Sequence, residues 1–276
     1  MKRLEGKRIA LVGPRKAEEM STIVSNLGGI PLIRPAQGTV FVDDSNVENE
    51  VKKIINGDFN WIILTTGIGT EKIYNNAVKM ELGEEFLVAL GKMNIAARGY
   101  KTVNLLKKLG LTPLVRDDDG STAGLVRNLQ SHSLGGSHVA LQLHGDPAPL
   151  LINFLEEQNA SYQEILPYIH TPPEDGIMDQ LINELLQGEI DAVAFTSTPQ
   201  VRFLMNHARE KGVEQKLLDA FSSNVIALAV GKVTAQAIRE AGIDRVIFPE
   251  KERMGSAIVE LSAYYQQNQK GKSRGE

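Results

Sequence analysis

The stretch Asp191-Ala-Val-Ala-Phe-Thr-Ser-Thr-Pro-Gln-Val-Arg-Phe-Leu204 predicts a strand, a turn and a helix in direct succession. Residues 192–195 form a short apolar run, which is typical of a fully buried strand. The hydroxyl residues 196–198 are good helix N-caps, and Pro199 suits the first turn of a helix. Such a turn points backbone N–H groups and the positive end of a helix beyond the strand, where an anion can bind.

The chain uses the same design once before. The stretch Asn60-Trp-Ile-Ile-Leu-Thr-Thr-Gly-Ile-Gly-Thr-Glu-Lys-Ile73 carries Thr65 and Thr66 where the later copy carries Thr196 and Ser197. Strands and helices alternate in both halves, so the sequence predicts the α/β class, with parallel sheets covered by helices on both faces. Ligands of such sheets bind at the carboxyl ends of the strands, and two such domains facing each other would enclose a cleft.

Composition limits the classes of function. The chain has 276 residues, enough for one large or two modest domains. Thirty basic and 34 acidic side chains give a net charge of −4, which argues against a dedicated nucleic-acid binder. The absence of cysteine excludes disulfides, thiolate nucleophiles and Cys-ligated metals. The first residues lead directly into a strand pattern and no apolar run approaches about 20 residues, so we expect a cytoplasmic protein that does not bind a membrane.

Four turns are candidate anion sites. Two are the hydroxyl turns 65–66 and 196–197, and two are the matched turns Gly99-Tyr-Lys-Thr102 and Gly231-Lys-Val-Thr234. Taken alone, each turn is better explained by helix capping. Four related turns on two matched halves favour a ligand with several anionic groups. Lys101 and Lys232, within the second pair of turns, are either surface charges or partners for carboxylates.

Other motifs give weak signals. Gly67-Ile-Gly69 lacks the third glycine of a dinucleotide fingerprint, because Lys72 stands there, and no Walker A motif occurs. The five histidines show no metal-ligand spacing, and we expect each in a loop or at the surface. Asp117-Asp-Asp119 is interpreted as a solvated loop rather than a cation site.

Tyr168 ends a strand predicted over 162–168 and enters a Pro-containing connector. Packing at an interface is one explanation for a tyrosine there. A phenol beside a cleft can also donate a proton to a leaving group. Further along, the sequence predicts a last helix over 255–264 and a polar, disordered tail over 266–276.

Two short motifs carry a resemblance to a known family. They are Phe195-Thr-Ser-Thr-Pro-Gln-Val201 and Val230-Gly-Lys-Val-Thr-Ala235. Their order, spacing and duplication resemble the uroporphyrinogen-III synthase family over residues 6 to 264, more closely in the second half than in the first.

The resemblance implies two flavodoxin-like domains with parallel sheets, joined by two extended connectors. The first domain would be discontinuous, with residues 1–35 and 176–265, and the second would cover residues 43–165. Residues 36–42 and 166–175 would be the connectors.

The resemblance also implies a reaction. The family's enzymes convert hydroxymethylbilane, a linear tetrapyrrole polycarboxylate, into uroporphyrinogen III with loss of water and inversion of the last pyrrole ring. It implies no metal and no cofactor. We expect a monomer. Tyr168 matches the family's tyrosine that assists hydroxyl loss. The expected substrate-binding residues are Arg15, Thr65, Thr66, Gly67, Lys101, Thr102, Gly145, Thr196, Ser197, Thr198, Lys232 and Thr234.

The chain departs from the family pattern in places. Its first strand ends in Val12-Gly-Pro-Arg15 instead of Thr-Arg, and the turn at Thr65-Thr66 replaces the usual Thr-Ser. The strand over 138–143 ends in His144-Gly-Asp-Pro instead of Arg-Gly, and Asp146 would repel a carboxylate. A non-catalytic homologue that binds a tetrapyrrole or another polycarboxylate is therefore the alternative.

Overall fold

The computed structural model describes residues 3–41, 44–145 and 148–272. The strands are β1 Arg8–Leu11, β2 Ile30–Ile33, β3 Gly38–Phe41, β4 Trp61–Leu64, β5 Asn94–Ala97, β6 Val115–Arg116, β7 His138–Gln142, β8 Ser161–Ile165, β9 Tyr168–Thr171, β10 Ala192–Phe195, β11 Ile226–Ala229 and β12 Val246–Ile247. The helices are α1 Ala17–Asn26, α2 Asp44–Asn56, α3 Gly67–Lys79, α4 Gly83–Lys92, α5 Tyr100–Lys108, α6 Thr122–Leu129, α7 Pro149–Glu157, α8 Ile177–Leu186, α9 Thr198–Glu210, α10 Glu214–Ser223, α11 Lys232–Glu240 and α12 Met254–Lys272.

The chain forms two compact units. One contains Met1–Gly38 together with Thr171–Glu276, and the other contains Thr39–His170. The chain crosses from one unit to the other twice, once within β3 and once within β9. These two strands pair in a two-stranded sheet. The expected cleft stays a prediction.

The first unit is built on a parallel sheet of order β2-β1-β10-β11-β12. This is the 2-1-3-4-5 order of flavodoxin-like folds. Successive side chains of β10 alternate between two apolar cores: Val193 and Phe195 pack on one face, and Ala192 and Ala194 on the other. The apolar run of this strand follows from burial on both faces.

The second unit repeats the architecture with a different starting point. Its parallel sheet has the order β8-β7-β4-β5-β6. The places that β2 and β1 hold in the first sheet are held here by β8 and β7, which are the last two strands of this sheet in chain order. Alternation again separates two cores, with Trp61 and Ile63 on one face of β4 and Ile62 and Leu64 on the other. The two parallel α/β sheets confirm the predicted fold class.

Several elements differ from the sequence prediction. Helix α10 was not predicted at all. The strand predicted over 162–168 is two strands, because Leu166 and Pro167 separate β8 from β9. Residues 266–272, predicted to be disordered, continue helix α12. None of the helices within the described ranges is long and apolar enough to cross a membrane.

Candidate functional site

The strand order indicates where each unit can hold a ligand. In a sheet of this order, the loops after the two central strands diverge, and the crevice at their carboxyl ends is the usual binding place. These strands are β1 and β10 in the first unit and β4 and β7 in the second. The Thr196 and Thr65 turns directly follow β10 and β4.

A buried glutamine organises the turn after β4. The Oε1 atom of Gln142, at the end of β7, accepts hydrogen bonds from the backbone N–H groups of Thr65 and Thr66, both at 3.0 Å. Its Nε2 atom donates to Thr66 Oγ1 at 3.2 Å and to the Leu143 carbonyl at 2.9 Å. The Thr65 hydroxyl donates to the backbone carbonyl of Gln142 at 2.7 Å. The amides of Thr65 and Thr66 are therefore hydrogen-bonded to the glutamine side chain.

The hydroxyl of Thr66 is the centre of the turn. Thr66 is the N-cap of α3, and its Oγ1 accepts from the Gly69 N–H at 3.2 Å. It also accepts from Gln142 Nε2 and, at 3.1 Å, from the hydroxyl of Tyr168. A Cβ at Gly69 would collide with the carboxamide of Gln142, so this position requires glycine.

Tyr168 lies in a cluster of rings and is only 2% exposed. The His144 ring stacks on it at a centroid distance of 6.0 Å, and the His170 ring meets it edge-on at 5.3 Å. Phe41 lies 6.2 Å away and carries the ammonium group of Lys72 at 5.6 Å from its ring. These rings enclose the phenol ring on several sides.

The Gly99 turn adjoins the Thr65 turn. Arg98, which directly follows β5, donates from Nε to the carbonyl of Thr65 at 3.1 Å. A Cβ at Gly67 would lie 3.1 Å from the backbone carbonyl carbon of Lys101, so the two turns are in close contact. Asp117 accepts a hydrogen bond from the backbone N–H of Gly99 and anchors this turn.

The carboxylates of the acidic loop after β6 bind other groups of the protein. Asp117 also accepts from the Gly120 N–H, and Asp119 accepts from the Ser121 N–H at 2.8 Å. Asp118 and Asp119 bind the guanidinium of Arg127 and raise its pKa through hydrogen bonds. Within the described ranges, no three His, Cys, Asp or Glu side chains are grouped to hold a metal.

The turn after β10 uses a glutamine from its own helix. The Thr196 N–H donates to Gln200 Oε1 at 2.8 Å, and Gln200 Nε2 returns a bond to Thr196 Oγ1 at 2.9 Å. Ser197 is the N-cap of α9, but its hydroxyl donates to Gln37 Oε1 and accepts no hydrogen bond from the N–H groups of the helix. A Cβ at Gly13, after β1, would collide with the Thr196 hydroxyl, so the two central loops touch.

An acidic side chain covers the Gly231 turn. Glu252 Oε1 accepts from the Lys232 N–H at 3.3 Å, at the first residue of α11. A Cβ at Gly231 would lie 2.6 Å from Glu252 Oε2. The start of this helix thus already faces one carboxylate.

The predicted site residues differ in exposure. Thr66, Gly67, Thr196, Ser197 and Thr198 are half-buried, and Arg15, Lys101, Gly145 and Lys232 are exposed. The remaining ones, Thr65, Thr102, Tyr168 and Thr234, are buried.

The structure brings several of these residues together. In the second unit, the turn residues 65–67 meet Tyr168 and the backbone of Lys101, and Gly145 packs on the side chain of Ile169. In the first unit, Thr196 meets Gly13, whereas Arg15 takes no part in the contacts described for this turn. Asp146 lies outside the described residues.

Sequence reasoning missed the residues that hold these turns. Gln142 is a polar residue at the end of an otherwise apolar buried strand, which was a usable signal. Gln200 lies four residues after Thr196, within one helical turn of it. Arg98 and Gln37 gave no comparable signal, since their partners are distant in the chain. His144 lies in the loop after β7, as expected, whereas His170 lies in strand β9, and both rings are half-buried against Tyr168.

Known proteins share both the sequence and the fold. The sequence model described as Uroporphyrinogen-III synthase HemD matches residues 18–259. A Bacillus subtilis (strain 168) protein described as uncharacterized protein YjjA is 48% identical over 268 residues, covering 97% of this chain and 99% of that protein.

Solved structures agree with this result. A crystal structure of mutant uroporphyrinogen III synthase from Thermus thermophilus is 33% identical, covers 95% of this chain and 100% of its own, and superposes with a TM-score of 0.83. Uroporphyrinogen-III synthetase from Helicobacter pylori is 14% identical over 94% of this chain and 99% of its own, with a TM-score of 0.51, and shows the fold alone. The chain therefore belongs to the uroporphyrinogen-III synthase family.

Proposed function

We propose that this protein is a uroporphyrinogen-III synthase, which closes hydroxymethylbilane to uroporphyrinogen III with ring inversion and loss of water. Family membership supports the reaction class. The observation that carries the proposal is the hydrogen bond from Tyr168 to Thr66 at the switch point of the second unit. This hydrogen bond links Tyr168, which matches the family's tyrosine, to the turn that carries the hydroxyl groups of Thr65 and Thr66. As the family resemblance implies, the proposed reaction needs no metal or cofactor, and we expect the enzyme to be a cytoplasmic monomer.

The chemistry of the substrate fits these turns. Its acetate and propionate groups need several donors, and backbone N–H groups at helix starts bind carboxylates without a strongly basic surface. The first N–H groups of α3, α5, α9 and α11 have no partners inside their helices, and Lys101 and Lys232 lie in the first turns of α5 and α11. Holding both ends of the linear substrate supplies the entropy of ring closure.

An assay with freshly generated hydroxymethylbilane tests the activity. The substrate closes spontaneously to isomer I, so isomer III above the background of a protein-free reaction identifies the enzyme. We expect isomer III as the main product. If the protein yields isomer I alone, the proposed activity is wrong.

The Thr196 turn is tested by binding. Changing both Thr196 and Ser197 to Val removes two hydroxyls from the start of α9, and we expect weaker binding of uroporphyrinogen III under reducing conditions, with an unchanged circular dichroism spectrum. Ser222→Val, at an exposed position of α10, is the matched control. Equal affinity of the double variant and the control would remove this turn from the site.

A second candidate is a non-catalytic homologue that binds a tetrapyrrole or another polycarboxylate. The burial of Tyr168 favours it, since a phenol that is 2% exposed cannot touch a ligand directly in this conformation. This candidate replaces the first if the protein binds uroporphyrinogen III but makes no isomer III.

A further inference from the structure

We propose that Phe41 and Lys72 are substrate-binding residues that hold one pyrrole ring of the tetrapyrrole beside Tyr168. The pyrrole ring packs against the exposed surface of Phe41, and one of its carboxylate groups pairs with the ammonium group of Lys72. This inference rests on the proposed function and assigns the binding of one substrate ring within its site. All three side chains belong to the second unit.

Phe41 is the exposed member of the ring cluster around Tyr168. It is the last residue of β3, it is 51% exposed, and its ring centroid lies 6.2 Å from that of Tyr168. The rings of His144 and His170 are half-buried, and Tyr168 itself is buried. A ligand ring that reaches this cluster from solvent therefore finds the largest open aromatic surface on Phe41.

Lys72 brings a positive charge to the same surface. Its Nζ atom lies 5.6 Å from the centroid of the Phe41 ring, within the range of a cation–π contact. Lys72 lies on α3, whose N-cap Thr66 accepts the hydrogen bond of the Tyr168 hydroxyl. Phe41 contacts both Lys72 and Tyr168, so the three side chains form one continuous patch.

The turn before α3 needs such a charge to hold a carboxylate. The backbone N–H groups of Thr65 and Thr66 donate to Gln142 Oε1, so these two donors are already engaged. A carboxylate beside this turn therefore depends on other donors. Lys72, in the second turn of α3, supplies an ammonium group.

The chemistry of the substrate matches both side chains. Each pyrrole ring is aromatic and carries an acetate and a propionate group. Aromatic rings attract each other in offset or edge-to-face contacts, and an ammonium group forms charge-assisted hydrogen bonds with a carboxylate. Phe41 alone would suit any aromatic ring and Lys72 alone any anion, so the pair favours a ring that bears an acid.

Equilibrium binding of uroporphyrinogen III under reducing conditions tests the two residues in the full chain. Phe41→Leu should raise Kd about three- to tenfold because it removes the aromatic contact, whereas Phe41→Tyr should stay within about twofold of the unmodified protein. Lys72→Met should raise Kd about two- to fivefold at low salt and less at high salt, which screens the charge. Lys72→Arg keeps the charge and should bind like the unmodified protein.

A double variant tests whether both side chains hold the same ring. If they do, the loss of one contact loosens the ring from the other. The loss of affinity in Phe41→Leu/Lys72→Met should then be smaller than the product of the two single losses. Losses that multiply would assign the two side chains to separate parts of the ligand and overturn the inference.

A second phenylalanine beside a cation provides matched controls. Phe248, in the first unit, is exposed, and the guanidinium carbon of Arg239 lies 5.7 Å from its ring centroid. Phe248→Leu and Arg239→Met should leave Kd unchanged. If they weaken binding as much as the changes at Phe41 and Lys72, the loss of any surface ring or charge explains the result, and the inference is wrong.

Kinetics separate substrate binding from support of Tyr168. The loss of a binding contact raises Kd and the KM for hydroxymethylbilane together and leaves kcat nearly unchanged. If Phe41 only packs on Tyr168, Phe41→Leu would instead lower kcat or the urea midpoint without changing Kd. That result would contradict a role of Phe41 in binding.

The inference and the proposed function fail separately. If the protein binds uroporphyrinogen III with the expected changes in Kd but makes no isomer III, the ring-binding role stands and the enzymatic activity is wrong. If it makes isomer III and Phe41→Leu has an unchanged Kd, the activity stands and the ring-binding role is wrong. A protein that does not bind uroporphyrinogen III also excludes the ring-binding role.

Discussion

Gln142 is the residue on which the second unit's turn depends most. It is fully buried, and its side chain makes hydrogen bonds to two backbone N–H groups, one hydroxyl and one carbonyl. A buried polar group that loses its partner costs more free energy than a made hydrogen bond contributes. The amides of Thr65 and Thr66, just before α3, depend on this one carboxamide.

We predict that Gln142→Leu lowers the free energy of unfolding by about 2–4 kcal/mol, because it leaves several buried backbone groups without partners. Urea unfolding followed by circular dichroism measures the loss. Gln130→Leu, at an exposed position in the same unit, is the control. A loss below that of the control would show that other groups replace the glutamine.

At the residue scale, the sequence indicated which positions matter but not how they contact each other. Thr66 and Tyr168 were both singled out, yet their hydrogen bond joins residues 102 positions apart and has no local signature. The burial of Tyr168 also has no local signature, because the rings that surround it include Phe41 and His144 on separate segments of the chain. The roles of these two residues stay predictions.

At the element scale, the starts of the helices are the recurring functional feature. They are not equivalent, since Gln142 occupies amides before α3, Gln200 occupies one before α9, and Glu252 faces the start of α11. A carboxylate at a helix N-terminus is electrostatically favourable and competes with any anion that binds there.

We predict that Glu252→Gln lowers the KM for hydroxymethylbilane about two- to fivefold, because it removes a negative charge beside the expected position of a substrate carboxylate. The difference should shrink at high salt, which screens exposed charges. Glu250→Gln, two residues earlier and also exposed, is the control. An unchanged KM at low salt would exclude the α11 start from carboxylate binding.

Elements with a strong apolar period were predictable from the sequence, and short or polar ones were not. β4 and β10 are continuous apolar runs and were recognised. Helix α10 buries only Leu217 and Phe221, too few for a clear helical period. Helix α12 extends beyond its apolar part, where Gln266, Gln267 and Asn268 are exposed and give no apolar period.

At the scale of the whole molecule, the first unit depends on contacts between distant parts of the chain. β1 lies between β2 and β10, so an N-terminal strand is central in a sheet completed by the C-terminal part. Arg34 makes a bidentate pair with Glu184 at 2.7 and 2.9 Å, across 150 positions. Lys7 pairs with Asp191 at 2.6 Å.

The Arg34–Glu184 pair predicts part of the acid sensitivity. Hydrogen bonds from Arg34 hold the pKa of Glu184 below its ordinary value of 4.5. The stabilisation is therefore complete above about pH 4.5 and is lost as the pH falls through the lower pKa of the folded state. We expect Glu184→Gln to be less stable at neutral pH and to lose less stability on acidification. Urea midpoints measured between about pH 7 and pH 3 test this, and parallel curves for both proteins would contradict it.

The last prediction concerns which parts of the chain fold alone. Residues 39–170 are continuous and contain a complete five-stranded sheet with a core on each face. We expect this fragment to unfold cooperatively in urea. Residues 171–276 lack β1 and β2, and without β1 one edge of β10 loses its hydrogen-bonding partner and the core around Ile9 and Leu11 is incomplete. We expect this fragment to be unfolded alone and to gain helical circular dichroism when a peptide of residues 1–38 is added. Cooperative unfolding of residues 171–276 without the peptide would show that the N-terminal strands are dispensable for the first unit.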